Sequence, residues 1–289
     1  MIQVLVNGLV NGAILTLMAI SVTIIFGVLR VPHFGLGGIF VWGAFIAYFT
    51  RITWGLNVLT AMLFSATLSA ILGVVIEKIA FKRLRGASED AMFVSAIGVL
   101  IALENGAHLI WGEQTRSIPF PLLDFVLSLP GVLYLPAMRV LILLVVGLVT
   151  LGLHFYVKKT KMGKAMRAVA QNRISSCLLG VPIDRVASYT FAFGSAMAGM
   201  AGTLVGIAFT FSYDMGTMSV LKAFVVVVLG GLGSIGGAII GGFILGIIDS
   251  LTLTFLTSQY KYLVSFSLII LVLVLRPSGI FGQKLSRPQ

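Results

Sequence analysis

The sequence predicts an all-α polytopic membrane protein with a single transmembrane domain over residues 1–289. Three observations carry this. The 289 residues are 58% hydrophobic and only 10% charged, too few charges to cover a water-facing surface, so most of the exterior faces lipid. Apolar residues fall in runs long enough to cross about 30 Å of hydrocarbon as helices that satisfy their own backbone amides. Lys and Arg collect in the short polar gaps between runs, where they set orientation.

Eight spans follow, near residues 3–28, 34–50, 57–79, 92–111, 137–156, 186–211, 218–248 and 259–275. The first begins at Met1 with no basic leader and is expected to be a retained span. The seventh is too long for one straight crossing. Its middle reads GGLGSIGG, so Gly230, Gly231, Gly233, Gly236 and Gly237 strip side chains from about a turn of backbone, and two shorter helices meeting at a break are expected, for eight or nine spans.

Orientation comes from the basic gaps. One holds Lys78, Lys82, Arg83 and Arg85; another, residues 158–185, holds Lys158, Lys159, Lys161, Lys164, Arg167, Arg173 and Arg185 against the single acid Asp184. Both are expected in the cytoplasm of a bacterial or archaeal cell. Residues 112–136, with Glu113 and Asp124 against Arg116 and four prolines (Pro119, Pro121, Pro130 and Pro136), form an extracytoplasmic connection. Counting from these anchors places the N-terminus outside and Arg30 inside. The seventh span must then cross twice for the tail with Arg276, Lys284 and Arg287 to end inside. Arg51 is the exception to this pattern.

The net charge of +11 does not point to nucleic acid, because the cations sit where anionic lipid headgroups meet them. The single Cys177 excludes an internal disulfide or a cysteine metal cluster and reads as a small buried apolar residue. The chain lacks the phosphate-cradling G-x-x-x-x-G-K-[ST] pattern, so any use of ATP requires a partner chain. Paired catalytic acids and a histidine cluster are also missing, which ranks an intramembrane enzyme last.

Within residues 158–185, Met162, Met166 and Val169 fall at helical spacing. Ile174, Cys177, Leu178 and Val181 form a second such series after a slip at Gln171 and Asn172. Two short amphipathic helices are expected. Asn172 suits the turn between them, Gly180 and Pro182 end the second, and Asp184 is placed to cap the next span. Amphipathicity leaves two readings open: a helix lying on anionic lipid, or a docking site for a partner protein.

Polar groups at membrane depth are functional candidates. Glu104 and His108 lie one turn apart beside Asn105, a spacing that permits a hydrogen-bonded pair; structural, solute-lining and proton-relay readings all stand. Asn7 and Asn11, four apart in the first span, fit either cross-helix packing or a vestibule. His33, Phe34, Gly35, Gly37 and Gly38 follow Pro32 as a tight turn or a broken-helix start near a gate. Gly230, Gly231 and Gly233 pack helices or shape that path. Tyr213, Asp214 and Asp249 read as turn or capping residues, or as contacts for an extracytoplasmic protein.

Three stretches carry a resemblance. GKAMRAVAQNRISSCLLGV at 163–181, NGLVNGAILTLMAISVTIIFGVLRVPHFGLGGIFVWGAF at 7–45 and KAFVVVVLGGLGSIGGAIIGGFILGIID at 222–249 resemble, in the family's order, the membrane permease subunits of ABC importers for branched-chain amino acids and related amides, urea permeases included. The resemblance implies a subunit without catalysis of its own, forming half of a path. It also implies a second permease subunit, two cytoplasmic ATPases holding ATP and Mg²⁺, and an extracytoplasmic binding protein. Gly163, Met166, Arg167, Ala170, Asn172, Arg173, Ser175, Leu178, Leu179 and Gly180 would then form the ATPase-coupling element. Where such proteins commonly carry acids, this chain has Gln171, Asn172 and Arg173. The runner-up is a secondary transporter driven by an ion gradient.

Overall fold

The computed structural model describes residues 1–30, 33–84, 87–120, 126–129, 133–256, 259–276 and 279–281. Pro32, Arg85, Pro121, Asp124, Pro130, Lys284 and Arg287, used above, lie outside these. Among the described residues the long apolar helices are α1 (Ile2–Leu29), α2 (Leu36–Thr53), α3 (Val58–Ile76), α4 (Glu89–Trp111), α5 (Ala137–Lys159), α8 (Ile183–Ala208) and α10 (Ile235–Phe255). Two shorter ones are α9 (Met215–Gly230) and α11 (Tyr260–Leu275), and two polar helices, α6 (Lys161–Gln171) and α7 (Arg173–Leu178), stand between α5 and α8. Seven helices are long and apolar enough to span, and α9 and α11 add two shorter crossings. The protein is a multi-pass membrane protein, and the long seventh run is divided into α9 and α10 as expected. The connection before α5 contains an antiparallel ribbon of β1 (Val126–Leu129) and β2 (Leu133–Pro136), with Val126 opposite Pro136.

The core is built around α1, the most buried of the long spans, while α4 and α5 are the least buried. Small residues let backbones close up where no hydrophobic force sorts helix from lipid. A Cβ on Gly12 would lie 2.8 Å from Phe243 Cα, and one on Gly246 would collide with the Gly12 backbone, so α1 and α10 touch along their lengths. Thr16 and Ser250 hydroxyls donate across this seam to Ile239 O (3.3 Å) and Val4 O (2.7 Å). A second seam joins α2, α3 and α8, where Ser65 donates to Gly43 O at 2.7 Å and accepts from Thr203 at 3.1 Å.

The predicted break falls at residues 231–234. Gly231 (φ 102°) and Gly233 (φ 83°) adopt left-handed backbone that a side chain would strain. Ser234 then caps α10 by accepting from Gly237 N at 3.1 Å. The orphan carbonyls at the end of α9 are met by the tail: Ile280 N donates to Leu229 O (2.9 Å) and Phe281 N to Gly230 O (3.1 Å). The tail, the α9–α10 turn and the end of α1 therefore share one end of the bundle. At the other end Arg116 pairs with Phe211, tying the α4–α5 connection to the α8–α9 connection. Arg51 is accommodated there by carbonyls, donating to Leu56 O at 2.6 Å and Pro119 O at 3.4 Å.

Candidate functional site

At the basic end, α5 turns into α6 through one residue. Thr160 Oγ1 donates to Tyr156 O (2.7 Å), the last turn of α5, and accepts from Gly163 N (3.0 Å), the first turn of α6. One hydroxyl thus satisfies an orphan carbonyl and an orphan amide across the corner. Gly163 is required there, since a Cβ would press on Tyr156 O and Val157 O. Met166 and Val169 of α6 pack with Val186 of α8 against Val28, Tyr156 and Phe193, so α6 is seated on the spans. Ala170 is half-buried. Arg167 is exposed and donates to Lys158 O at 3.2 Å.

Asn172 is the joint between the two helices: its Oδ1 accepts from Ser175 N at 3.0 Å, and its carbonyl accepts from Ser176 Oγ at 2.8 Å. Gly180 (φ 79°) closes α7. The second apolar series points outward except for Val181, which packs with Met166 and Val169. Ile174 is 75% exposed, Leu178 84% and Leu179 83%, and Arg173 and Ser175 are exposed beside them. Cys177 is exposed, not buried. Asp184 does not cap α8; it sits in the first turn, where its charge suits the helix dipole, and pairs with Lys82 at 3.1 Å.

The residues marked from sequence for a solute path separate. Glu104 and His108 do not form a pair. Glu104 accepts from Thr217 N (2.7 Å) and Thr217 Oγ1 (2.8 Å), joining α4 to α9, while His108 stacks on Tyr213 at 4.5 Å. Asn105 is exposed and bonds back to Ile101 O at 2.8 Å. His33 is buried between Phe81 (4.7 Å) and Phe191 (5.0 Å), and burial lowers its pKa to about 3, so it stays neutral. Phe34 packs on Phe93 and Phe224. A Cβ on Gly35 would reach His33 at 2.7 Å, and Gly37 abuts Gly216, so this turn is filled by close packing. Gly230 lies against the Gly237 backbone. Asp214 starts α9 without capping it and is held by the Ser212 hydroxyl.

Open space lies elsewhere, along α1, α5 and α10. A cavity of about 200 Å³ is walled by Leu143, Val146 and Leu151 of α5, Ala13 and Thr16 of α1, and Ile239 and Phe243 of α10. A larger one of about 440 Å³ lies along the same three helices at the basic end, with α6 forming part of its wall. Asn7, Arg139 and Thr150 border these helices with buried polar atoms that have no partner among the described residues; Asn11 is half-buried on α1. On α5, Arg139, Leu143, Val146, Thr150, His154 and Lys158 recur at helical spacing, one stripe from the first turn to the last.

Comparison with known proteins decides the family. The family described as branched-chain amino acid transport system / permease component matches residues 4–273. The chain belongs to that family. It is similar to the high-affinity branched-chain amino acid transport system permease protein BraD of Pseudomonas aeruginosa, 35% identical and covering 98% of this chain and 96% of that one. It is also similar to LivH of Salmonella typhimurium, 33% identical with 98% and 96% covered. The permease protein LivM of that organism is more distant, at 27% identity over 94% of this chain and 68% of its own length. Among solved structures, PsaBC from Streptococcus pneumoniae in complex with Fab matches at a TM-score of 0.50 and 12% identity, covering 96% of this chain and 93% of that one. This likeness is one of fold.

Two polar features of the permease escape the sequence reading. Lys222 lies inside an apolar run and meets Asp249 at 2.6 Å, with Lys261 at 3.6 Å and the Ser265 hydroxyl at 2.9 Å from the same carboxylate. Asp249 is therefore a buried partner, not a surface or capping residue. The lone Lys in KAFVVVV was the signal: a cation amid valines requires an acid on a neighbouring helix. The other is Arg139, near the start of α5, whose buried guanidinium nitrogen has no partner among the described residues.

Proposed function

We propose that this chain is one permease subunit of an ABC importer for branched-chain amino acids. It forms half of the path along α1, α5 and α10 and is moved by ATPase subunits through α6 and α7. The observation that carries this is the cluster of exposed Ile174, Leu178 and Leu179 at the tip of a capped, seated elbow. Three large apolar side chains in a loop otherwise rich in Lys and Arg suit a protein groove better than a lipid headgroup layer. A capped elbow passes on rigid-body motion that a loose linker would absorb.

In this reading ATP and Mg²⁺ are held by two cytoplasmic ATPases, because the chain has no phosphate-binding loop of its own. A second permease subunit completes the path, and an extracytoplasmic binding protein delivers the solute at the end bearing the Arg116–Phe211 bridge. The N-terminus lies outside and the C-terminus inside a bacterial or archaeal plasma membrane, by the excess of Lys and Arg at the α6–α7 end. Branched aliphatic cargo is favoured over urea-like amides by the apolar walls of the smaller cavity, Leu143, Val146, Leu151, Ile239 and Phe243. Vesicles carrying the assembled transporter test this by competition. Unlabelled isoleucine and valine are expected to displace leucine uptake while urea does not; displacement by urea alone would overturn the assignment of cargo.

A further inference from the structure

We propose that the 440 Å³ cavity is the station the solute occupies before release, and that the coupling helix α6 is its moving wall, so that the ATPase acts on the solute site directly. This rests on the permease reading above and deepens it. The cavity has α6 on one side, through Met166, Arg167 and Ala170, and the start of α10 on the other, through Ile235 and Gly236. Its size falls within the range of about 300–1,000 Å³ common to small-molecule sites.

Gly236 is the telling residue. Its neighbour Gly237 is explained by contact with the Gly230 backbone, but a Cβ on Gly236 would meet nothing within 4 Å. Packing therefore does not require glycine there, and glycine weakens a helix start for no structural return. What its missing side chain preserves is the open volume. The lining matches an amino acid with an aliphatic side chain. Lys158 and Arg167 bring positive charge for a carboxylate, and Ile24, Val28 and Met166 supply an apolar surface. Thr23 Oγ1 spends its proton on Ala19 O at 2.7 Å, which leaves the oxygen to accept from an ammonium group. The smaller apolar cavity lies along the same three helices.

The test uses the assembled transporter in inside-out vesicles. In a Cys177→Ser background, Gly236→Cys is labelled with a methanethiosulfonate reagent, with and without leucine. Leucine at ten times its half-saturating concentration is expected to slow labelling about tenfold. No slowing, or slowing by added anionic phospholipid but not by leucine, overturns the proposal and in the second case assigns the cavity to a headgroup. A second arm, in right-side-out proteoliposomes loaded with ATP, measures leucine uptake. Gly236→Leu, which puts bulk into the cavity at a position where a Cβ meets no atom within 4 Å, is expected to cut uptake at least tenfold. Gly98→Leu on the exposed face of α4, where a Cβ also meets nothing within 4 Å, is expected to leave uptake at the wild-type level. Wild-type uptake with an equally active Gly236→Leu sinks this inference and leaves the permease reading standing; a wild-type assembly with no ATP-driven leucine uptake sinks the permease reading itself.

Discussion

Lys222 and Asp249 meet at 2.6 Å on α9 and α10, both almost fully buried. Lys261 and Ser265 of α11 approach the same carboxylate, and the Lys222 ammonium lies 5.0 Å from the centre of the Tyr262 ring. One acid thus gathers groups from α9, α10 and α11 in a part of the bundle where an unmatched charge is expensive. Removing one partner strands the other. Asp249→Ala is expected to destabilise the folded protein by about 3–5 kcal/mol, and the paired change Lys222→Met with Asp249→Leu to recover most of the loss. Thermal unfolding in detergent reads both. Equal destabilisation by the single and paired changes would show that the ion pair is not what holds these helices.

The exposed triad on α7 should behave as a contact, not as a lipid anchor. Ile174→Asp with Leu178→Asp is expected to cost at least about 2 kcal/mol, roughly 30-fold, in affinity for the ATPase subunits. Insertion and the spans remain intact, because neither side chain packs on the bundle. Retention of the ATPases on purification, compared with the parent protein, is the measurement.

Gly163 carries a prediction of unusual sign. Gly to Ala inside a helix normally stabilises by about 1 kcal/mol. Here the added methyl collides with the Tyr156 and Val157 carbonyls, so Gly163→Ala should shift α6 on its seat and lower the leucine moved per ATP hydrolysed. An unchanged ratio would mean that the corner tolerates the shift. Thr160→Ala should act in the same direction, at about 1 kcal/mol for the lost cap.

Glu104 should prove structural. Both carboxylate oxygens are engaged by Thr217, so Glu104→Gln is expected to loosen α4 from α9 by about 1–2 kcal/mol while uptake keeps its pH profile. A displaced pH profile would restore the proton-relay reading.

Much of this architecture is legible in the chain because lipid imposes simple rules. Span length and the glycine break placed the apolar helices, and Asn172 and Gly180 punctuated the loop as the structure has them. Legibility failed where partner choice is three-dimensional. Spacing along α4 set Glu104 beside His108, yet the stronger acceptor interaction is with an amide and a hydroxyl that arrive from α9, more than a hundred residues later. Helical periodicity correctly grouped Ile174, Cys177 and Leu178, but periodicity does not say whether a stripe faces the bundle or a partner. The α1–α5–α10 groove was invisible, since a cavity is defined by which side chains fail to meet.

The most direct test of the account is leucine accumulation in proteoliposomes, with ATP inside or outside and with the ATPase and partner subunits present or omitted. The account predicts accumulation only with the full set of subunits and ATP on the α6–α7 side, and none by this chain alone under any imposed proton or sodium gradient. Uphill leucine uptake by the chain alone on such a gradient would contradict it.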